Sequence, residues 1–166
     1  DNTACSPFNG RVWDISINKE NIEYVIDAYD TAGLLLFSGK EFPGLAGGQY
    51  FLVAREVNDN IRPSRPIRVH LTDQFQFPVI WLEYTTKNTH CLPDEIGFTG
   101  AVGFRINGLQ NDDKAQIFWF TDKNEKIDVL DNLMEASHLK NGAYTLEVTD
   151  MLSGCMAKLT FDIGFQ

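Results

Sequence analysis

Apolar and polar residues alternate with period two in several short runs along the chain. The clearest are Val12-Trp13-Asp14-Ile15-Ser16-Ile17, Ile22 through Tyr29, Val79 through Thr85, Gln116 through Phe120 and Lys158 through Ile163. Successive side chains of a strand point to opposite faces, so such runs, rich in β-branched and aromatic residues, predict strands with one face in a core. Between them lie Asp30-Thr31-Ala32-Gly33, Asn107-Gly108, Asn111-Asp112-Asp113 and Asp150 through Gly154, residues that supply positive-φ or Asx-type turns. Only Leu130 through Ala136 offers a candidate helical turn, against a loop between sheets. The predicted class is all-β.

The runs are organised by an internal repeat. Asn2-Thr3-Ala4-Cys5-Ser6-Pro7 returns as Asn88-Thr89-His90-Cys91-Leu92-Pro93, each followed by Gly-x-Val at Gly10 and Gly100. Further on, Leu45-Ala46-Gly47-Gly48-Gln49-Tyr50-Phe51-Leu52 returns as Leu139-Lys140-Asn141-Gly142-Ala143-Tyr144-Thr145-Leu146. Copies of this length are the size of a small β-sandwich. With Thr72 through Pro78 as connector, the predicted domains are residues 1–74 and 75–166. Val79 through Thr85 opens the second copy with a strand that has no counterpart before Asn2, so the first copy is expected either to come from a longer array or to borrow that strand from a neighbour.

Gly-x-Tyr followed two residues later by an apolar residue is the signature of the tyrosine corner of immunoglobulin-like sandwiches, in which the hydroxyl returns to nearby backbone. Tyr50 and Tyr144 take that place, and Leu52 and Leu146 stand where antibody domains carry their second cysteine. The expected fold is two tandem immunoglobulin-like β-sandwich domains. Cys91, before one strand, and Cys155, at the start of the last, could meet at one end of the second sandwich and close a loop of 64 residues (155 − 91). Such a closure contributes roughly 4 kcal/mol in the chain-entropy view. Cys5 has no partner in its own copy and is expected to be unpaired, bonded outside the fragment or used to link chains. Three reduced thiols in a cytosolic protein are the alternative.

These residues, N-T-x-C-x-P, a Gly-initiated strand, and L-x-x-G-x-Y-x-L-x-V-T-D-x-x-x-G-C, resemble the SprB-type repeats of gliding-motility adhesins and other giant surface proteins of the Bacteroidota. The second copy carries the pattern through Val148, Thr149, Asp150, Gly154 and Cys155, whereas the first departs from it at Val53 through Glu56 and at Ile61. The resemblance implies an extracellular, cell-surface location reached by type IX secretion, and long strings of repeats in an adhesin.

Charge and chemistry narrow the function further. The net charge of −9 divides into −3 over residues 1–75 (7 basic, 10 acidic) and −6 over residues 76–166 (7 basic, 13 acidic). Only Arg62, Arg65 and Arg68 form a basic cluster, which argues against nucleic acid as partner. No apolar run reaches the roughly 18 residues of a membrane span, so no membrane insertion is expected. His70, His90 and His138 are scattered, and no nucleophile elbow, phosphate loop or HExxH is present, so no enzyme and no catalytic residue is expected. Asp94/Glu95 and Asp112/Asp113 read as solvated loop charges. No metal ligand is assigned and no cofactor is expected, although Asn58-Asp59-Asn60 and Asn111-Asp112-Asp113 offer oxygens to calcium. Trp13, Trp81 and Trp119 either form a sugar-stacking platform or lie in the core, and Trp119 is expected to pack between sheets. Trp81, beside the connector, is the candidate ligand contact. The expected function is a non-enzymatic structural or adhesive module of a surface filament or stalk, its partners being neighbouring repeats or other copies of the chain. The alternative is a carbohydrate-binding module contacting cell-surface polysaccharide through exposed aromatics.

Overall fold

A computed structural model describes residues 1–18, 22–58, 63–89, 97–110 and 114–166. Strands and turns dominate: the described residues contain twelve strands and, at Asp128–Leu130, one turn of 3-10 helix. The all-β class is therefore correct. The chain divides into two compact units, Asp1–Phe75 and Gln76–Gln166.

The second unit is the more regular. Strands β7 (Val79–Thr86), β8 (Gly100–Asn107) and β10 (Glu135–Leu139) form one antiparallel sheet in the order β10-β8-β7. Strands β9 (Ala115–Thr121), β11 (Gly142–Asp150) and β12 (Met156–Ile163) form the other, in the order β12-β11-β9. The inward residues of both, among them Val102, Phe104, Trp119, Leu146 and Phe161, make one core. Trp119 is fully buried, with the Phe104 and Phe161 rings edge-on at 5.4 and 5.9 Å. Its indole N–H donates to the Leu133 carbonyl at 3.1 Å, which satisfies the polar end of a buried aromatic.

In the first unit, β1 (Gly10–Val12) pairs with β4 (Phe42–Leu45), and β2 (Tyr24–Tyr29), β3 (Leu35–Gly39), β5 (Gly48–Glu56) and β6 (Ile67–Leu71) form a sheet in the order β3-β2-β5-β6. Pairing registers align the two units position by position. Gly10 pairs with Leu45 and Val12 with Phe42, as Gly100 pairs with Leu139 and Val102 with Ala136. Ala28 pairs with Leu52 and Ile67 with Leu52, as Trp119 and Leu159 pair with Leu146. Both Gly10 and Gly100 lie where a Cβ would collide with the carbonyl of their paired leucine, so only glycine lets these strands close. The β3 strand and the absence, among the described residues, of a strand equivalent to β7 distinguish the first unit.

Two local expectations are corrected. The alternation over Val12–Ile17 does not give a strand beyond Val12, because Asp14 adopts a left-handed conformation (φ 56°). That residue reverses the inside-outside phase: Trp13 turns to solvent and Ile15 joins the core. Likewise Leu130–Ala136 is no helical turn. The 3-10 turn ends at Leu130 and the chain enters β10 at Glu135.

A bulge interrupts β4 and β10 at equivalent places, with Gly44 (φ 72°) in one unit and His138 (φ 61°) in the other. A β-carbon is strained there by about 1 kcal/mol or more. His138→Gly is therefore expected to leave the second unit as stable as before or to raise its stability by up to about 1 kcal/mol, despite glycine's greater freedom in the unfolded chain. A clear loss in urea titration would show that the imidazole makes a contribution larger than the strain.

Candidate functional site

Three groups of side chains have geometry that packing alone does not require. The first is the pair of tyrosine corners. Tyr50 Oη donates to the Ala46 carbonyl and Tyr144 Oη to the Lys140 carbonyl, each at 2.9 Å and four residues upstream. Burial raises both phenol pKa values, so the hydroxyls remain donors across the physiological range.

The second group holds the ends of the sheets, and the residue that does this was not singled out by the sequence. Asn2 and Asn88 are completely buried. Each makes a parallel bridge, Asn2 to Asp73 and Asn88 to Phe165, through two backbone bonds of 2.8–3.1 Å. Each also turns its side-chain oxygen to the N–H just ahead of the Gly-initiated strand: Asn9 N–H at 2.9 Å and Thr99 N–H at 3.1 Å. Asn2 Nδ2 further donates to Asp73 Oδ1 at 2.7 Å. The repeated Asn-Thr was the available signal; its role needs the bridge.

The third group lies on open sheet faces. Ile80 packs on the second core, so Trp81 points the other way, opposite Arg105 on β8, and is 58% exposed. Glu83 and Arg105 form an ion pair at 2.6 Å. Tyr84 is 43% exposed and lays its ring over Gly103, where any side chain would collide with it. Three residues of strand separate the two aromatics, roughly 10 Å at the usual rise. Trp81, Tyr84 and the Glu83–Arg105 pair thus form a flat platform of π-faces and hydrogen-bonding groups. Trp13 is 61% exposed as well, whereas Trp119 has no exposed surface and lies in the core.

On the four-stranded sheet of the first unit, Asp27 of β2 is buried and is bound by the Arg55 guanidinium and the Ser38 hydroxyl. The hydrogen bond from Arg55, outweighing burial, holds its carboxyl below the usual carboxylate value of 3.8. The folded-state value being the lower one, this pair's stabilising contribution is complete above the unfolded-state pKa and is lost as pH falls through the folded one. In acid titration followed by exchange protection of β2 and β5, Asp27→Asn is expected to remove part of the first unit's loss below about pH 4. Equal acid sensitivity in the variant would place the titrating group elsewhere. In the second unit Asp150 is also held low: burial opposes ionisation, but bonds from the Leu152 N–H, the Ser153 hydroxyl and the Gln110 N–H outweigh it.

Cys155 is fully buried, and both Cys155 and Cys5 are disulfide-bonded. For Cys5 this corrects the expectation of an unpaired or external thiol. Pairing follows the approach of two sulfurs in space, whereas position within a repeat conveys only sequence equivalence. Cys91 lies outside the described residues, and the pairing Cys91–Cys155 with it. So do Asp59-Asn60 and Asn111-Asp112-Asp113, the turns considered for calcium. Among the described residues no three His, Cys, Asp or Glu side chains come together as metal ligands, and no helix is long and apolar enough to cross a membrane. No protein-family model matches the chain, and no curated protein matches it.

Proposed function

We propose that the chain is a pair of immunoglobulin-like repeats serving as a structural and adhesive module of a large extracellular bacterial surface protein. The observation that carries this reading is the duplication of the joints. Buried asparagine, Gly-initiated strand, bulge and tyrosine corner recur at equivalent places in both units. Surfaces and core sizes, in contrast, have diverged. Selection on such a pair acts on the scaffold, as expected of modules whose work is to hold length and resist opening. Disulfide-bonded cysteines support an oxidising compartment. The likeness of the cysteine and tyrosine blocks to SprB-type repeats supports export by type IX secretion and placement within a longer string.

Pulling the chain from its ends, with its disulfide-bonded cysteines reduced beforehand, is expected to give two separate unfolding events, each releasing on the order of 25 nm of chain at about 3.5 Å per residue. A single cooperative event, or unfolding without measurable resistance, would overturn the structural reading.

The Trp81 platform favours a second reading, contact with polysaccharide. Saturable quenching of tryptophan fluorescence by a cell-surface glycan, lost in Trp81→Ala and weakened when Gly103→Ala displaces Tyr84, would establish it. No response across a broad glycan panel would leave the module passive.

A further inference from the structure

The same place in the two units is finished in opposite ways. In the second, the outer edge of β9 is covered by the segment that leads to β10. Phe120 bridges Lys126, the Ile127 N–H donates to the Trp119 carbonyl at 2.8 Å, and the Asn132 N–H donates to the Ile117 carbonyl at 3.0 Å. Six charged residues, Asp122, Lys123, Glu125, Lys126, Asp128 and Asp131, stud that segment. Charge and irregular backbone are the usual means of keeping a sheet edge from pairing with another chain. In the first unit the corresponding stretch, between β2 and β4, is β3 with its turn, and β3 is the last strand of the order β3-β2-β5-β6. No described strand pairs with its outer side. Residues 31–39 contain no charge, and Leu34, Leu35, Leu36 and Phe37 are 63, 49, 37 and 39% exposed. They leave in water an apolar patch on the order of 300 Å², a size that is often functional.

We propose that β3 is a lateral contact for a second copy of this chain: two β3 edges pair antiparallel about a two-fold axis and join their four-stranded sheets into one. A two-fold contact is self-complementary. The identical apolar run on each copy covers the other, and both rows of backbone N–H and C=O groups are satisfied at once. A glycan brings no such row. Charge selects the antiparallel sense. Asp30, bonded to Leu34 through the backbone, stands at one end of the run, and Lys40 with Glu41 at the other. Antiparallel pairing sets the lone carboxylate of each copy beside the mixed pair of the other, whereas parallel pairing would oppose Asp30 to Asp30. Chains that each carry −9 thus meet along a run that has no charge of its own. A bulge at Leu36, where Ala28 pairs with Phe37 but Tyr29 with Leu35, limits the regular stretch and keeps the interface small. Such a contact is weak singly and gains strength when many repeats align side by side. That use rests on the surface-module reading, but the pairing itself does not.

The test follows the full chain by sedimentation velocity and hydrogen exchange from about 1 µM to about 1 mM, the range in which so small an interface associates. The expected result is a dimer with a dissociation constant on the order of 100 µM, and added protection at high concentration confined to the amides of Leu35 through Gly39. Leu35→Lys, which would bury an ammonium in the pair, should weaken association roughly tenfold or more. Val129→Lys, on the charged segment of the second unit and 84% exposed, should leave it unchanged. Leu35 is exposed, so its variant is expected to fold, and unchanged protection of β2 and β5 in the monomer verifies this. Should it fail that check, Leu34→Lys at the most exposed position of the run takes its place. A chain that stays monomeric throughout, that associates equally well in the folded lysine variant, or that gains protection along another strand overturns the proposal. A monomer that still unfolds in two events under force would do so while leaving the structural module standing.

Discussion

Trp119→Ala is expected to lower the stability of the second unit by about 3–5 kcal/mol, the usual cost of removing a large aromatic from a packed core. Residues 1–75 should retain theirs. Trp119 has no exposed surface, touches the Phe104 and Phe161 rings, and donates to the Leu133 carbonyl, so the alanine leaves a cavity and an unpaired acceptor. The first unit shows how the same scaffold manages without it. At the position equivalent to Trp119 it has Ala28, and at the position equivalent to Ala136 it has Phe42, which is fully buried. The large side chain has moved from one sheet to the other, a volume-conserving exchange of the kind cores tolerate best. Trp119→Ala combined with Ala136→Phe should therefore recover a substantial part of the loss. Urea unfolding followed by exchange protection, resolved by unit, measures both. If the double variant is no more stable than the single one, the two positions do not share a space and the proposed equivalence of the cores fails.

That exchange also marks how far the sequence could be read. The strands were legible wherever alternation and turn residues coincided. Runs ending at Tyr29 and Ile163 appear as β2 and β12 with small changes at their ends. The tyrosine blocks were legible because a local hydrogen bond needs only local spacing. Around Trp13 the pattern misled, because a single left-handed residue at Asp14 converts an unbroken alternation into two half-patterns of opposite phase, and aspartate is among the residues that tolerate this conformation. Exposure of Trp81 was only half legible: strand periodicity fixes which residues share a face, but which face lies against a core depends on partners distant in sequence. The complementary Ala28/Phe42 and Trp119/Ala136 pairs emerge only when registers on both sheets are known. Buried asparagine is harder still, since composition places that residue at the surface and its burial depends on bonds to positions 71 and 77 residues away, at Asp73 and Phe165.

Removing that asparagine should cost each unit about 2–3 kcal/mol, because a buried N–H left without an acceptor retains its full desolvation penalty. In Asn2→Ala the amide of Asn9 loses the oxygen at 2.9 Å, and Asp73 loses the donor at 2.7 Å, although it still accepts from Gly47 N–H at 2.8 Å. In Asn88→Ala the Thr99 amide loses its acceptor at 3.1 Å. The backbone bridges to Asp73 and Phe165 use main-chain atoms and so survive the change, which makes the effect local. It should show first as faster exchange at Asn9, Gly10, Thr99 and Gly100, ahead of any change in β5 or β11. Aspartate separates the two halves of the role. It keeps the acceptor but loses the donor, and in the first unit it sets a buried carboxylate against the exposed one of Asp73, so Asn2→Asp should be at least as damaging as Asn2→Ala at neutral pH. In the second unit Phe165 is apolar at the bridge, so Asn88→Asp carries no such repulsion there. An Asn2→Asp chain as stable as the natural one would show that the amide's donor is dispensable, and that the conserved joint between the two units is the bridge itself and not the side chain that spans it.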